Sequence, residues 1–268
     1  MALKAAVFAG EYEALGAWTG QTRAELIEEE GREFWLCWDG DRVVGVLRPW
    51  LRPDGRLELD FGRCEPRALP VLLARVHGEC FTTVDGADSG RLAELGRLGF
   101  RVERREFRYS VPVAPVDAPV PVGLEVISAA ATRLEPLLAL DCALREDVPG
   151  SQGWQPDPVW FREETYDSPF FDPEAYLVAL DGADYVGLVR VWNGPRPLPR
   201  LGLIAVLPPY RRRGLARGLI GQAFAALHAR GVREVTAEVD DTNTASNALL
   251  TGFGGVVTGS DLELRRAG

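Results

Sequence analysis

Leu201-Gly-Leu-Ile-Ala-Val-Leu-Pro-Pro-Tyr-Arg-Arg-Arg-Gly-Leu-Ala-Arg217 passes from an apolar strand, through two prolines and three arginines, into a helix. The strand pattern runs from Leu201 to Val206, and the helical pattern begins at Leu215, Leu219 and Ile220. A helix start of this kind attracts anions. Its first backbone N–H groups have no intrahelical partner, and the macrodipole is positive there. Gly214 and Ala216 keep side chains away from those groups, so a diphosphate can approach the backbone. Arg211, Arg212 and Arg213 add positive charge around the same point.

Two familiar phosphate motifs do not fit. A P-loop ends in Gly-Lys-Ser/Thr, whereas Gly214 is followed by Leu215 and Ala216. A dinucleotide fingerprint requires three spaced glycines, and the first is missing. The pattern Arg211-x-x-Gly214-x-Ala216, following a strand that ends Val-x-Pro, resembles the acyl-CoA pyrophosphate loop of the GNAT superfamily of N-acyltransferases. The resemblance implies that the backbone at Ile204, Ala205 and Val206 pairs with the pantetheine arm and that Arg211 through Ala216, Leu215 included, hold the diphosphate. It continues downstream. Gly231 stops the helix, Val235 to Val239 alternates as a strand, and Asn243, Ser246 and Leu249 match the next helix of the family. Asn243 reads equally as a helix cap and as a cap that also meets the pantetheine. Two positions depart: the family's tyrosine slot holds Leu250, and Gly254 is followed by Gly255 instead of an aromatic. Gly255 to Val257, a Thr-Gly-Ser-Asp turn and Leu262 to Leu264 read as closing strands.

The bulk composition limits the alternatives. With 268 residues, 46% hydrophobic and 26% charged, the chain has room for two folded domains. A net charge of -9 excludes a nonspecific nucleic-acid binder, because such binding neutralises phosphates. Cys37, Cys64, Cys80 and Cys142 have no metal-ligand spacing and only two histidines are present, so no metal is expected. Glu11 and Glu13 stand where a leader's apolar core would be, and no stretch is long enough to span a bilayer. A cytoplasmic protein with no membrane partner, monomeric or homodimeric, is expected.

Val111 to Pro121 holds four prolines in eleven residues and reads as an extended linker, residues 113–123. Elements of the same order lie on either side of it, beginning with helical residues Thr22 to Glu29 in the first half and Ala130 to Arg145 in the second. The fold class expected is α/β (α+β): two tandem GNAT-like domains, residues 1–112 and 124–268, each a mixed, mostly antiparallel sheet flanked by helices. In the first half Gly62-Arg-Cys-Glu-Pro66 replaces the basic loop, and Glu65 would repel a diphosphate. That half therefore reads as degenerate, a plan similar to that of the tandem GNATs known as mycothiol synthases, which Phe171 to Ala179 also resembles.

The resemblance implies an N-acyltransferase taking acetyl-CoA, or another acyl-CoA, as co-substrate and passing its acyl group to the primary amine of a small molecule. A peptide N-acetyltransferase and a non-catalytic acyl-CoA sensor are the alternatives. The strand Leu201 to Val206 carries no acid. Glu238, on the next strand, reads either as a proton acceptor through water or as an ordinary exposed strand residue. Ser246, one turn before Leu250, is placed to protonate the departing thiolate. Glu146 and Asp147 are candidates for gripping the cationic substrate. Trp154 and Tyr166 belong to an aromatic-rich stretch that suits an amine with an apolar body.

Overall fold

The structure is a computed structural model that describes residues 3–7, 35–194 and 197–268; the expected helix at Thr22 to Glu29 lies outside them. The chain divides into two compact units, residues 1–105 with 261–268, and residues 106–260.

The first unit orders its strands β1 (Lys4–Val7), β2 (Trp35–Asp39), β3 (Arg42–Leu51), β4 (Leu57–Cys64), β5 (Cys80–Asp85) and the second half of β12 (Val256–Arg266). All neighbours are antiparallel except β4 and β5, which run parallel and pair at Glu58 and Phe81. Helices α1 (Leu69–Leu73) and α2 (Ser89–Arg97) contribute Leu72 and Leu95 to a core with Val44, Leu59, Phe100 and Leu262. The helix expected over residues 67–76 is only five residues long. A 3-10 turn, Pro66–Ala68, precedes it, and the prolines withhold backbone donors there. Glu65 sits before that turn and bridges Arg42 and Arg67, so a carboxylate of the chain itself occupies the point where the second half has its basic loop.

The second unit orders its strands β6 (Arg101–Pro112), β11 (Glu234–Asp240), β10 (Arg200–Val206), β9 (Asp184–Trp192), β8 (Tyr176–Asp181) and β7 (Glu125–Ser128). Both faces of this sheet are covered, which explains the near-continuous apolar runs of β8 and β9. On one face α5 (Leu215–Ala229) and α6 (Thr244–Thr251) pack Leu219, Ile220, Phe224 and Leu250 against Tyr109, Val111 and Val235. On the other, α3 (Leu134–Arg145) and α4 (Pro158–Thr165) pack Leu137, Leu144 and Phe161 against Tyr176, Val178 and Leu203. The chain is thus mixed α/β, with mostly antiparallel sheet flanked by helices.

The units part at residues 105 and 260, not in the proline-rich segment. β6, from before that segment, pairs with β11 along Glu106 to Pro112, while Asp261 to Arg266 pairs with β5. The turn expected at Thr258 to Asp261 is continuous strand instead. A Cβ on Gly259 would stand 2.6 Å from the Arg108 guanidinium, so a side chain there would displace the flexible end of that arginine.

The proline-rich segment does not hang free. Val113 is buried in the second core, and Val116 and Val120 pack against it. A Cβ on Gly218 would lie 3.2 Å from Val120 Cα and 3.3 Å from the Pro119 carbonyl, so α5 presents a glycine face on which the strap lies. Gly218→Val is expected to cost about 1–3 kcal/mol through overpacking. A melting temperature equal to the parent's would show that the strap is not held there.

Candidate functional site

β10 and β11 are neighbouring parallel strands whose register pairs only Arg200 with Thr236, reinforced by a bond from the Thr236 N–H to the Pro199 carbonyl at 2.9 Å. Beyond that point the strands part. The opposite edge of β10 stays paired with β9 as far as Val206 and Gly187. Residues 201–204 and 237–240 line a cavity of about 70 Å³ between them, with Val148 and Pro149 on one side and α6 on the other. One backbone edge of β10 therefore faces the cavity. An extended ligand can add to that edge as a strand would.

A bulge between Leu201 and Leu203 shapes the inner end of the cleft. Gly202 lies in it because the Trp192 indole fills the space, with Cδ1 and Nε1 both 2.8 Å from where a Cβ would stand. Trp192 in turn stacks on Arg190, 5.0 Å from guanidinium carbon to ring centre. Buried Arg190 and half-buried Arg145 share the carboxylate of Asp141, itself 1% exposed. Burial and the neighbouring Arg190 lower the Arg145 pKa from its ordinary value, and burial pushes the Tyr176 hydroxyl up to about 12.

At the outer end, Pro208–Tyr210 forms one 3-10 turn, and the Tyr210 hydroxyl donates to Asp181 at 2.9 Å, which raises the Tyr210 pKa. Arg211 Nε donates to the Val206 carbonyl at 2.8 Å, and its guanidinium pairs with Asp147. Arg212 and Gly214 both adopt left-handed backbone, φ 61° and 85°. At Arg212 this conformation costs on the order of 1 kcal/mol. At Gly214, the residue preceding α5, it is a position for glycine, and among the described residues none but its chain neighbours comes within 4 Å of where a Cβ would project. No side chain caps α5. Its leading N–H groups thus have no side-chain cap, and exposed Arg212 and Arg213 precede them, a donor set suited to an anion.

The site residues read from the sequence are distributed unevenly. Ile204, Glu238, Asn243 and Ser246 line the cleft, as does Leu250, whose side chain is 1% exposed and part of the core. Leu215 is equally buried, so it offers the loop its backbone and not its side chain. Asn243 caps α6, its Oδ1 accepting from the Ser246 N–H at 3.1 Å, and lines the cleft as well. Glu238 is not an exposed strand residue. Its side chain is 13% exposed and its Oε2 accepts from Arg200 Nε at 2.5 Å.

The expected substrate grip stands elsewhere. Asp147 forms an exposed ion pair with Arg211, and Glu146 accepts from the Gly153 N–H at 3.3 Å. Trp154 is stacked by Arg145 and meets Trp160 edge-on, while the Tyr166 hydroxyl bonds Thr132 at 2.8 Å. None of these four side chains is among those lining the cleft; Val148 and Pro149 stand there instead. Sequence reasoning missed Glu106 and Asp240, which do line it. The alternation of Glu106, Arg108 and Ser110 with Phe107, Tyr109 and Val111 was the available signal.

A family model described as the acetyltransferase (GNAT) family matches residues 141–254. The second unit carries a GNAT acetyltransferase domain. The chain is also 28% identical over 239 residues to a mycothiol acetyltransferase of Thermobispora bispora, covering 84% of this chain and 80% of that one. Among solved structures, a GCN5-related N-acetyltransferase from Sphaerobacter thermophilus matches with a TM-score of 0.70 at 18% identity, over 99% of this chain and 95% of the other. A tandem GNAT protein from the clavulanic acid biosynthesis pathway gives 0.71 at 15% identity, over 99% and 98%. The likeness to the tandem GNAT fold therefore extends beyond residues 141–254, the part of the chain that matches the acetyltransferase (GNAT) family model.

Proposed function

We propose that the chain binds one acetyl-CoA in its second unit and transfers the acetyl group to the primary amine of a small molecule by direct attack. The observation that carries this reading is the uncapped N-terminus of α5, opened by left-handed Gly214, at the mouth of the parting between β10 and β11. The residues present fit the co-substrate: donors for a diphosphate at Arg211 to Ala216, and an unpaired strand edge for the pantetheine at Ile204 to Val206. A thioester so held presents an activated carbonyl, and what the protein then supplies is mainly positioning. The likeness to a mycothiol acetyltransferase supports a small-molecule acceptor.

Thiol release from acetyl-CoA across a panel of amines tests the reading. Release with small amines supports it, release with peptides only would move the acceptor class to polypeptides, and tight binding without release would make the chain a sensor. Ser246 lines the cleft one turn before Leu250, where the family has tyrosine. We expect Ser246→Ala to lower kcat by about tenfold at most with acetyl-CoA affinity unchanged, since a thiolate is already a fair leaving group. An unaltered kcat would mean that water alone protonates the thiolate.

A further inference from the structure

Beneath the inner end of the cleft lies a group of charges that acyl transfer does not itself require. Two guanidiniums, Arg145 and Arg190, share the single carboxylate of Asp141, so the group is net positive, and removing such charges from water is costly. The Arg190 Nε and the Tyr176 hydroxyl are shut off from solvent and have no hydrogen-bond partner among the described residues. Arg190 is held by rings instead. Its guanidinium carbon lies 5.7 Å from the ring centre of Tyr176 and 5.0 Å from that of Trp192. Tyr176 stands opposite Arg190 in the β8–β9 register and Trp192 follows two residues along β9, so all three project from one face of the sheet. Asp141 ties Arg190 Nη1 at 3.5 Å. The cluster thus presents a tethered, flat cation to the Trp192 indole.

The other contact of that indole is Gly202. The β9–β10 register pairs Leu201 with Val191 and Leu203 with Arg190, which leaves Gly202 as the extra residue of the bulge. Gly202 has no left-handed φ, so its backbone would admit a side chain; what excludes one is the indole, with Cδ1 and Nε1 both 2.8 Å from the Cβ position. The ring cannot swing clear without leaving Arg190. Gly202, Leu203 and Ile204 all line the cleft. A co-substrate with its diphosphate at Arg211 to Ala216 and its pantetheine along Val206 to Ile204 runs back along β10, and its thioester end then arrives at this bulge.

We propose that Trp192 is a positioning residue for acyl transfer: its indole, stacked on Arg190 and set against Gly202, fixes the β10 bulge at which the thioester lies, a role that rests on the acyltransferase reading above. In that transfer the neutral amine's lone pair forms the N–C bond to the carbonyl, the C–S bond breaks with its electron pair on sulfur, and the thiolate takes up a proton equivalent to the one the nitrogen gives up. Trp192 takes no part in these exchanges. It acts through the backbone of Gly202 and Leu203, where a shift moves the carbonyl relative to the amine, and a misplacement of about 1 Å can lower a rate about a hundredfold. The role also accounts for the cluster. Its unsatisfied donors cost stability, and what they hold in place is the inner end of the cleft.

The test is a double-mutant cycle in the full chain, using acetyl-CoA and the best amine of the panel. Gly202→Ala should lower kcat by about tenfold or more and leave acetyl-CoA affinity within about threefold, since diphosphate and pantetheine are held elsewhere. Trp192→Ala should do the same. In the double variant the new methyl meets no ring, so adding Gly202→Ala to Trp192→Ala should change kcat by less than about twofold. Trp192→Phe, which keeps a ring on Arg190, should recover most of the rate. A reading independent of turnover is the infrared band of bound acetyl-CoA labelled at its carbonyl carbon: narrow in the parent, it should broaden in both single variants. Parental kcat and band in Gly202→Ala overturn the role, as does an equal effect of Gly202→Ala with and without Trp192. Should Trp192→Ala fail to fold, the rate and band of Gly202→Ala decide alone. A parent chain that binds acetyl-CoA yet acylates no amine overturns the acyltransferase reading and this role together. A parent that turns over beside an undiminished Gly202→Ala overturns the role alone.

Discussion

Gly214→Glu will bind acetyl-CoA at least about a hundredfold more weakly than the parent, a loss of roughly 2.7 kcal/mol or more. Two effects add. The position has φ 85°, and a residue with a Cβ pays about 1–2 kcal/mol to hold it. A carboxylate projecting into space that the described residues leave empty would also stand beside the diphosphate, turning attraction into repulsion. Gly214→Ala separates the terms, since it keeps the backbone cost and removes the charge. Calorimetry should give one site per chain in the parent, because Glu65 and a five-residue helix take the corresponding place in the first unit. Two equivalent sites, or parental affinity in Gly214→Glu, would sink the claim.

What the sequence discloses is what neighbouring residues determine. The loop from Val206 to Ala216 could be read because a strand end, two prolines, a left-handed glycine and an uncapped helix follow one another within a dozen residues. The α6 start could be read for the same reason: Asn243 and Ser246 are three apart and meet as cap and N–H. What escaped depends on residues far apart in the chain. Asp147 meets Arg211 across 64 positions, a pairing that neither loop announces by itself. Arg200 meets Glu238 across 38, and nothing in either strand alone announces that pair. Glu106 precedes its cross-strand neighbour Asp240 by more than a hundred residues and lies before the segment read as a linker, so it fell outside the half in which a site was sought. Gly218 was ambiguous for another reason. A glycine that makes room for a neighbour and a glycine that makes a turn are written with the same letter.

A fragment of residues 120–268 will not fold, although it contains the whole GNAT match. Each of the seven residues of β11 has its register partner on β6, between Glu106 and Pro112, whereas β11 pairs with β10 at one residue only. Without β6 that strand loses its ladder. The same cut removes Tyr109, Val111 and Val113 from the core, each at most 5% exposed, and the hydrogen bond from the Tyr109 hydroxyl to Asn247 Oδ1 at 2.7 Å. At roughly 1.5–3 kcal/mol per buried side chain the loss is about 5–9 kcal/mol, comparable with the whole stability of an ordinary domain. Circular dichroism and acetyl-CoA titration of the fragment are the measurement, and a soluble, cooperatively melting, acetyl-CoA-binding fragment would overturn the argument. The opposite cut makes the complementary case. Ending the chain at Ser260 leaves all of the second unit's residues in place but strips Leu262 and Leu264 from the core of the first, along with Glu263, whose carboxylate bridges Arg52, Arg56 and Arg104. Loss of the chain's last eight residues should therefore unfold the unit built from its beginning, and hydrogen exchange should show it in β4 and β5 before it appears in α5.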